Sequence, residues 1–217
     1  MWGRRTLTGR SPRCGGSTRA GRSSSARART SGDGVYPPEG TVCAASWLGV
    51  EVIGDQEVMI DAPSQLPEHL VEASADRRLV LHAMHSVVDW LAFAVWEDGR
   101  LVRSLSLSPD SGITENIGEP LPFELPYWAG DRPADIIPWP GEEEEPYALP
   151  FHPLDLDEDA LRAFCGFIQE GRPEPDDVDA DAIELYRPTR ARSRRAGSGA
   201  AQSCGGYGSV ALLPTEP

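Results

Sequence analysis

Three residues whose side chains can do chemistry stand close together near the middle of the sequence: His82, His85 and Asp89. Two imidazoles and a carboxylate could bind a catalytic metal ion that keeps a position open for water, or could move protons in a small hydrolase. Their spacing argues against convergence, because residues three apart on a β-strand point to opposite faces of the sheet. The two histidines could meet only if their strand ended near Met84.

A second group of candidates consists of acidic residues. Asp155, Asp157 and Asp159 have the spacing that begins a calcium-binding loop. The sixth position of that loop is Ala160 rather than glycine, and the twelfth is Gly166 rather than glutamate. We therefore interpret these aspartates as acids that cap the N-terminal end of a helix, where the helix dipole favours negative charge.

No motif for nucleotide binding or for an activated nucleophile accompanies these residues. The sequence has no GxGxxG, GxxxxGK[ST], GxSxG or HExxH pattern, and Ser104, Ser106 and Ser108 have no base nearby in sequence. The four cysteines form no CxxC pair, and the apolar neighbours of Cys43 and Cys165 predict that both are buried in the core. We therefore predict no cofactor and no metal site, and we expect free thiols in a reducing cytoplasm.

The clearest structural pattern is a central β-hairpin, 90–97 and 100–108, next to a strand over 78–85. It turns at Asp98-Gly99, because this pair supplies the positive φ angles of a type I′ turn. The predicted partners are Glu97 with Arg100, Trp96 with Leu101, and Val95 with Val102. One predicted face then carries Trp90, Ala92, Ala94, Trp96, Leu101, Leu105 and Leu107, with Arg103. A hairpin that is apolar on both faces belongs in the interior of its sheet.

Two helices are predicted around this hairpin. A short one begins at Pro63-Ser64, with Ser64 as its N-cap. The other runs from Asp157 to Gly171, because its apolar residues recur at i, i+3, i+4 and i+7: Leu161, Phe164, Cys165 and Ile168. The Pro-rich stretch 109–150 is predicted to wrap the sheet as an ordered loop. Strands and helices without a repeated strand–helix–strand rhythm predict an α+β fold with a mostly antiparallel sheet.

Charge divides the chain of 217 residues, whose formal net charge is −14, into three parts. Residues 35–186 hold 32 acids and seven arginines, whereas 1–34 and 187–217 are Arg-rich and hold one acid each. We therefore predict an acidic domain at 35–186 between disordered basic tails. Two interpretations of the tails stay open: arms that bind nucleic-acid phosphates, or stretches translated out of frame from GC-rich DNA. We favour the second, because acids nearly vanish at both edges.

The sequence gives no sign of membrane insertion or secretion. The longest uncharged apolar run, 90–96, is far below the roughly 20 residues of a membrane helix. Residues 1–13 are positively charged but have no apolar segment of the kind found in secretory signals. A cytoplasmic location without membrane contact is therefore expected.

Several stretches together resemble an uncharacterised protein family of actinobacteria. They are VYPPEGTV, LPEHLVEAS, the run from RRLVLHAMHS to LPYWAG, ALPFHPL and LRAFCGFIQEGRPEPDDVDADAIEL. The resemblance covers residues 35–185, and 79–130 is its most specific part. It implies a cytoplasmic bacterial protein whose domain has no known function, so it supplies no catalytic residues. It also implies a further strand and helix before Tyr36, where this chain has its Arg-rich stretch.

Two hypotheses for the function stay open. The first is a non-enzymatic intracellular binding or interaction module, whose acidic surface suits a basic protein partner and makes nucleic acid unlikely. The aromatic-rich stretch from Phe123 to Trp139 would be its contact surface. The alternative is a small hydrolase or metal-dependent enzyme that uses His82, His85 and Asp89. Convergence of these three side chains in one cleft would separate the two hypotheses.

Overall fold

Nine β-strands lie within the residues that the computed structural model describes, which are 29–30, 41–135, 147–169, 171–186 and 206–213. Their bounds are β1 (Arg29–Thr30), β2 (Cys43–Trp47), β3 (Val50–Gly54), β4 (Arg78–His85), β5 (Trp90–Glu97), β6 (Arg100–Ser108), β7 (Gly112–Ile117), β8 (Glu184–Leu185) and β9 (Gly206–Leu213). Seven of these strands form an antiparallel sheet in the order β2-β3-β9-β4-β5-β6-β7, and β1 pairs with β8.

Three helices accompany this sheet in the described ranges: α1 (Glu68–Glu72), α2 (Leu125–Trp128) and α3 (Pro153–Cys165). Short 3-10 turns lie at Gln56–Val58, Pro63–Gln65 and Ala180–Ala182. These elements confirm the α+β class with a mostly antiparallel sheet. The extra helix, α2, and the strand β7 both lie in the stretch predicted as an ordered loop. Within the described ranges, every helix is too short or too polar to cross a bilayer.

The predicted hairpin forms as β5 and β6. Asp98 and Gly99 have φ angles of 50° and 73°, which are the positive values that a type I′ turn requires. β5 lies between β4 and β6, so the hairpin is interior as expected. Its first partners, Glu97 with Arg100 and Trp96 with Leu101, are also confirmed.

The register beyond Trp96 differs from the prediction because a β-bulge interrupts β6. Val95 pairs with Arg103 instead of Val102. One extra residue on a strand moves every later side chain to the opposite face of the sheet. Two sets of residues therefore exchange faces: Arg103, Leu105 and Leu107 join Phe93, whereas Ser104, Ser106 and Ser108 join Ala92 and Ala94.

Both faces of the sheet are covered. On one face α3 and the segment 121–128 pack over a large apolar cluster that includes Phe93, Leu105 and Leu156. On the other face the turns between β3 and β4 pack over a smaller cluster around Leu81 and Trp96. Coverage on two sides explains why β4 and β5 are buried along nearly their whole length.

Helix α3 begins and ends earlier than the predicted helix 157–171. His152 is the N-cap, and Pro153 occupies the first helical position, where its missing N–H costs nothing. Gly166 ends the helix in the left-handed conformation with φ 75°, five residues before Gly171, the predicted stop. The predicted apolar stripe is buried at Leu161, Phe164 and Cys165.

The expectation of disordered tails does not hold for two pieces of them. Residues 206–213, expected in the tail 187–217, form β9 in the middle of the large sheet, and Arg29–Thr30 form β1. Composition averaged over 31 residues hid the short apolar run GYGSVALL, in which Ala211 and Leu213 are buried. The other residues of 1–34 and 187–217 lie outside the described residues, and the boundaries of the domain 35–186 stay a prediction.

Candidate functional site

The three residues of the enzyme hypothesis do not share a site. His82, on β4, places its Nε2 2.7 Å from Asp157 Oδ1 of α3, and both side chains are buried. His85 is the last residue of β4 and points to the opposite face of the sheet, as strand alternation predicts. Asp89 lies in the turn after β4, where its Oδ2 is 3.6 Å from His152 Nε2.

The described residues contain no group of three His, Cys, Asp or Glu side chains that could hold a metal ion. The pair of His82 and Asp157 is closed to solvent, with 3% and 1% of the two side chains exposed. It therefore joins β4 to α3 rather than facing a substrate. The absence of a cofactor and of a bound metal stays a prediction for the protein in solution.

The three aspartates that resemble the start of a calcium loop lie within α3 and point in different directions. Asp157 pairs with His82, whereas Asp159 accepts a hydrogen bond of 2.8 Å from the hydroxyl of Tyr127. Burial and this carboxylate raise the pKa of Tyr127 well above its ordinary value. Asp159 is also 3.2 Å from Arg162, one turn along the helix. Only Asp155 lies in the first turn of α3, where His152 is the cap, so the expectation that these acids cap the helix is wrong for Asp157 and Asp159.

An ion pair that the sequence did not suggest lies under the segment 117–128. Arg103 and Glu124 are fully buried and form two parallel hydrogen bonds of 2.8 and 2.6 Å. Arg103 Nη1 also donates to Asn116 and to the carbonyl of Ile117, at 2.6 and 3.1 Å. Glu124 accepts from the indole N–H of Trp128 at 3.1 Å. Because every charged group has partners, this network fixes the segment to the sheet.

Glycine is required where this segment leaves β7. Gly118 has φ 82°, and a Cβ atom there would collide with the carbonyl oxygen of Val102. The close approach lets the carbonyl of Gly118 lie 3.3 Å from Arg103 Nη1. A side chain at this position would push the segment away from the buried guanidinium.

The serines of β6 line a buried polar row instead of a solvated face. Ser104 donates to Glu115, which also accepts from the backbone N–H and the hydroxyl of Ser64 at 3.0 and 2.7 Å. Ser64 is therefore a partner of Glu115 and not a helix cap as predicted. Ser106 accepts from the indole N–H of Trp90 at 3.2 Å. The two bonds from Ser64 to Glu115 hold the 3-10 turn Pro63–Gln65 on the sheet, and the bond from Trp90 joins β5 to β6.

The aromatic stretch expected as a contact surface packs inward where it is described. Phe123 packs edge-on against Phe164, with ring centroids 5.3 Å apart. Tyr127 is buried against Phe151, and Trp128 packs on the same ring at 5.1 Å. These rings belong to the apolar cluster under α3. Trp139 lies outside the described residues.

Asp89 contributes to a second small cluster, at the N-terminal end of α3. His152 Nδ1 accepts the capping hydrogen bond from the N–H of Leu154 at 3.3 Å. The ring of Tyr147 stacks on His152 at 5.5 Å. Burial, together with the charges of Asp89 and Asp155, raises the pKa of Tyr147 to about 12. Helix capping accounts for this arrangement.

An apolar pocket lies between the β2–β3 end of the sheet and the C-terminal end of α3. Its cavity volume is about 70 Å³, and it opens to solvent on one side. Its walls include Cys43, Ala45 and Trp47 from β2, Leu161 and Cys165 from α3, and Ile183. Alternation explains the first three, because residues two apart on a strand face the same side. Both cysteines were expected in the core, but no pattern in the sequence brings them together.

The pocket keeps its shape through a contact between its two walls. The indole N–H of Trp47 donates to the carbonyl of Cys165 at 3.0 Å, and its ring is 5.8 Å from that of Phe167. Both cysteines are buried, as the sequence predicts. Burial raises the pKa of the Cys165 thiol to about 12, so this wall stays uncharged. Gly54 leaves room for the Cys43 sulfur, which a Cβ atom there would approach to 2.6 Å.

The fold and this pocket define an α+β protein whose antiparallel sheet carries an apolar cavity under one helix. The chain belongs to DUF6928, a family of unknown function, whose sequence model matches residues 24–187. The resemblance to an uncharacterised family is thereby confirmed. No curated protein and no solved structure gives a match to the chain.

Proposed function

We propose that this chain is a non-enzymatic binding module of the bacterial cytoplasm, and that its ligand site is the apolar pocket between β2 and α3. The observation that carries the proposal is the pocket itself. Ligand sites are concave, mostly apolar and largely preformed. The pocket is concave and apolar, and the hydrogen bond from Trp47 to Cys165 joins the strand and the helix that form its two walls.

The walls select an uncharged ligand. Within the described lining, the side chains are apolar except for Gln169, and neither an arginine nor a carboxylate is among them. A charged group placed there would lose its hydration without gaining a partner. The sulfur atoms of Cys43 and Cys165 are polarisable and pack well against aromatic rings. The pocket therefore fits a small aromatic ring or a short aliphatic chain.

The two cysteines support the proposed compartment, and the net charge supports the kind of partner. Two buried cysteines that line one pocket without a disulfide between them suit a reducing cytoplasm. The formal net charge of −14 suits a basic protein partner and disfavours nucleic acid. The enzyme alternative loses its support, because His82, His85 and Asp89 have different neighbours and lie on different faces.

The test uses indole as the probe, with nuclear magnetic resonance of the tryptophan side chains as the measurement. A ligand with nine non-hydrogen atoms is expected to bind with a Kd of about 1 mM, and we expect the Trp47 signal to shift most. Ala45→Phe places a ring in the pocket, so it should abolish the shift. Ala163→Phe adds the same ring on the exposed side of α3 and should leave binding unchanged.

Two results would contradict the proposal. One is an indole titration that leaves the Trp47 signal unchanged up to about ten times the expected Kd. The other is equal binding by the Ala45→Phe variant and the unchanged protein. Ala45→Leu fills less of the pocket and replaces the Phe variant if thermal unfolding shows that the larger side chain prevents folding.

A further inference from the structure

The strand β9 occupies an unusual place for a segment so late in the chain. It lies between β3 and β4 and is antiparallel to both. All eight of its residues pair with β4, from Gly206 with His85 to Leu213 with Arg78. The family match ends at residue 187, so β9 lies outside it. Without β9, the matched region would leave the edges of β3 and β4 unpaired, with a gap of one strand between them.

The neighbours of β9 restrict which residues can occupy this position. A Cβ atom at Gly208 would lie 2.9 Å from Met59 Cγ and 3.0 Å from the backbone nitrogen of Met59. Backbone atoms cannot move aside as a flexible side chain can, so the site accepts glycine alone at 208 without rearrangement. Ala211 and Leu213 are buried in the cluster under α3. The space between β3 and β4 therefore limits the size of the side chain at residues 208, 211 and 213.

The chain between β8 and β9 is long enough to leave the strand free of tension. Three strand pairings separate Tyr186 from Val210 across the sheet: Tyr186 with Ala44, Ala44 with Ile53, and Ile53 with Val210. Three spacings between neighbouring strands add up to about 14 Å. With the step from 210 back to 206, the distance to span is about 20 Å. The 19 residues from 187 to 205 can reach about 60 Å when extended. The connection is therefore about three times longer than the span requires.

We propose that the position between β3 and β4 is a strand-acceptor groove, and that residues 206–213 bind it as a separable extended peptide. Main-chain hydrogen bonds to both edges supply affinity, and the sizes of residues 208, 211 and 213 supply specificity. Binding is the same whether the segment arrives on its own chain or as a free peptide. Gly208 also lines the apolar pocket, so the two sites meet there. The peptide experiment measures strand exchange and uses no indole, so this proposal and the proposed function can fail separately.

The experiment uses the full chain with a protease recognition sequence inserted between residues 195 and 200. After cleavage, gel filtration should show the C-terminal fragment eluting with the larger one. A fluorescent peptide of residues 204–217, added at tenfold excess, should then replace the cleaved fragment. The same peptide with Gly208→Val should bind at least tenfold more weakly. A scrambled peptide of the same composition is the control and should not bind.

Each contrary result overturns a stated part of the proposal. If the cleaved fragment leaves and the circular dichroism and Tm stay unchanged, residues 206–213 are not a strand of this sheet. If the fragment stays and the labelled peptide fails to exchange even near the unfolding midpoint in urea, the strand is not separable. If the Gly208→Val peptide binds as well as the natural one, the groove does not read size at 208.

Discussion

The two halves of the large sheet are built from the chain in different ways. In one half, β4 to β7 follow one another and are joined by short turns, so each strand pairs with its neighbour in sequence. In the other half, the strand pairing of the β2–β3 hairpin with the described sheet runs through β9, which comes from a distant part of the described chain. Local pairing closes short loops, whereas β9 must close a very long one.

The halves also differ in what fills them. The β4–β7 half contains the buried pair of Arg103 and Glu124, whose groups are all hydrogen-bonded. The β2–β3 half contains the apolar pocket. The polar network therefore lies in the half built from strands that are neighbours in sequence, and the apolar pocket lies in the half that β9 completes.

The largest effect is expected from breaking the buried ion pair in the local half. Arg103→Ala leaves the fully buried carboxylate of Glu124 without its counter-charge, so we expect a loss of about 3–5 kcal/mol in the free energy of unfolding. Urea denaturation followed by tryptophan fluorescence measures it. The double variant Arg103→Met with Glu124→Gln removes both charges and should recover at least half of the loss. A loss below about 1 kcal/mol would mean that the pair is hydrated.

A smaller difference is expected between two leucines, one in each half. Leu105 is in the middle of β6 and fully buried, whereas Leu213 is at the end of β9 and 7% exposed. We expect Leu105→Ala to cost about 4 kcal/mol and Leu213→Ala about 2 kcal/mol, because a cavity at a strand end collapses more easily. Chemical unfolding of the two variants gives the comparison. Equal losses would show that β9 is as firmly held as the strands of the hairpin.

Alkaline pH should weaken the protein through the pocket half. The pKa of the Cys165 thiol is raised from 9.0 to about 12 in the folded state, so the unfolded chain loses its proton first. The contribution is therefore fully present below pH 9 and is lost as the pH rises toward 12. We expect about 1 kcal/mol less stability at pH 10 than at pH 8 from this group. The Cys165→Ala variant should lack this part of the pH dependence in urea titrations.

The smallest effect is expected at a surface ion pair that links the two halves. Arg77 Nη1 is 2.6 Å from Glu51 on β3, and the two side chains are 32% and 55% exposed. Exposed pairs of this kind contribute little because solvent screens them. Arg77→Gln should change the free energy of unfolding by less than about 0.5 kcal/mol. A loss above about 1 kcal/mol would show that this exposed pair contributes to holding the halves together in addition to β9.

Local chemistry made the hairpin half of the fold predictable. Asp98-Gly99 predicted the turn between β5 and β6. The sequence of β4 predicted the bounds of that strand, and strand alternation predicted that His82 and His85 point apart. The bulge in β6 was not predictable, because the local sequence does not show that Arg103 rather than Val102 pairs with Val95. The partner of Arg103 on that face is Glu124, which is 21 residues away. The helix end at Gly166 was available in the sequence, but Gly171 followed by proline looked like the stronger stop.

The candidate site was less accessible to prediction, because it joins residues that are distant in sequence. Cys43 and Cys165 were each correctly expected to be buried, but no sequence pattern connects β2 with the end of α3. Arg103 was recognised as the one charge on its face, and its partner 21 residues later was not. A buried arginine in an apolar strand is the signal that could have prompted a search for that carboxylate.

The position of β9 has a consequence for how the protein is made on the ribosome. Leu213 is synthesised 27 residues after Tyr186, which takes on the order of 1–5 s at ordinary rates of translation. During that interval the edges of β3 and β4 have emerged from the ribosome, and their shared neighbour has not. Nascent chains with two unpaired edges are the kind that chaperones bind and that associate with one another on polysomes.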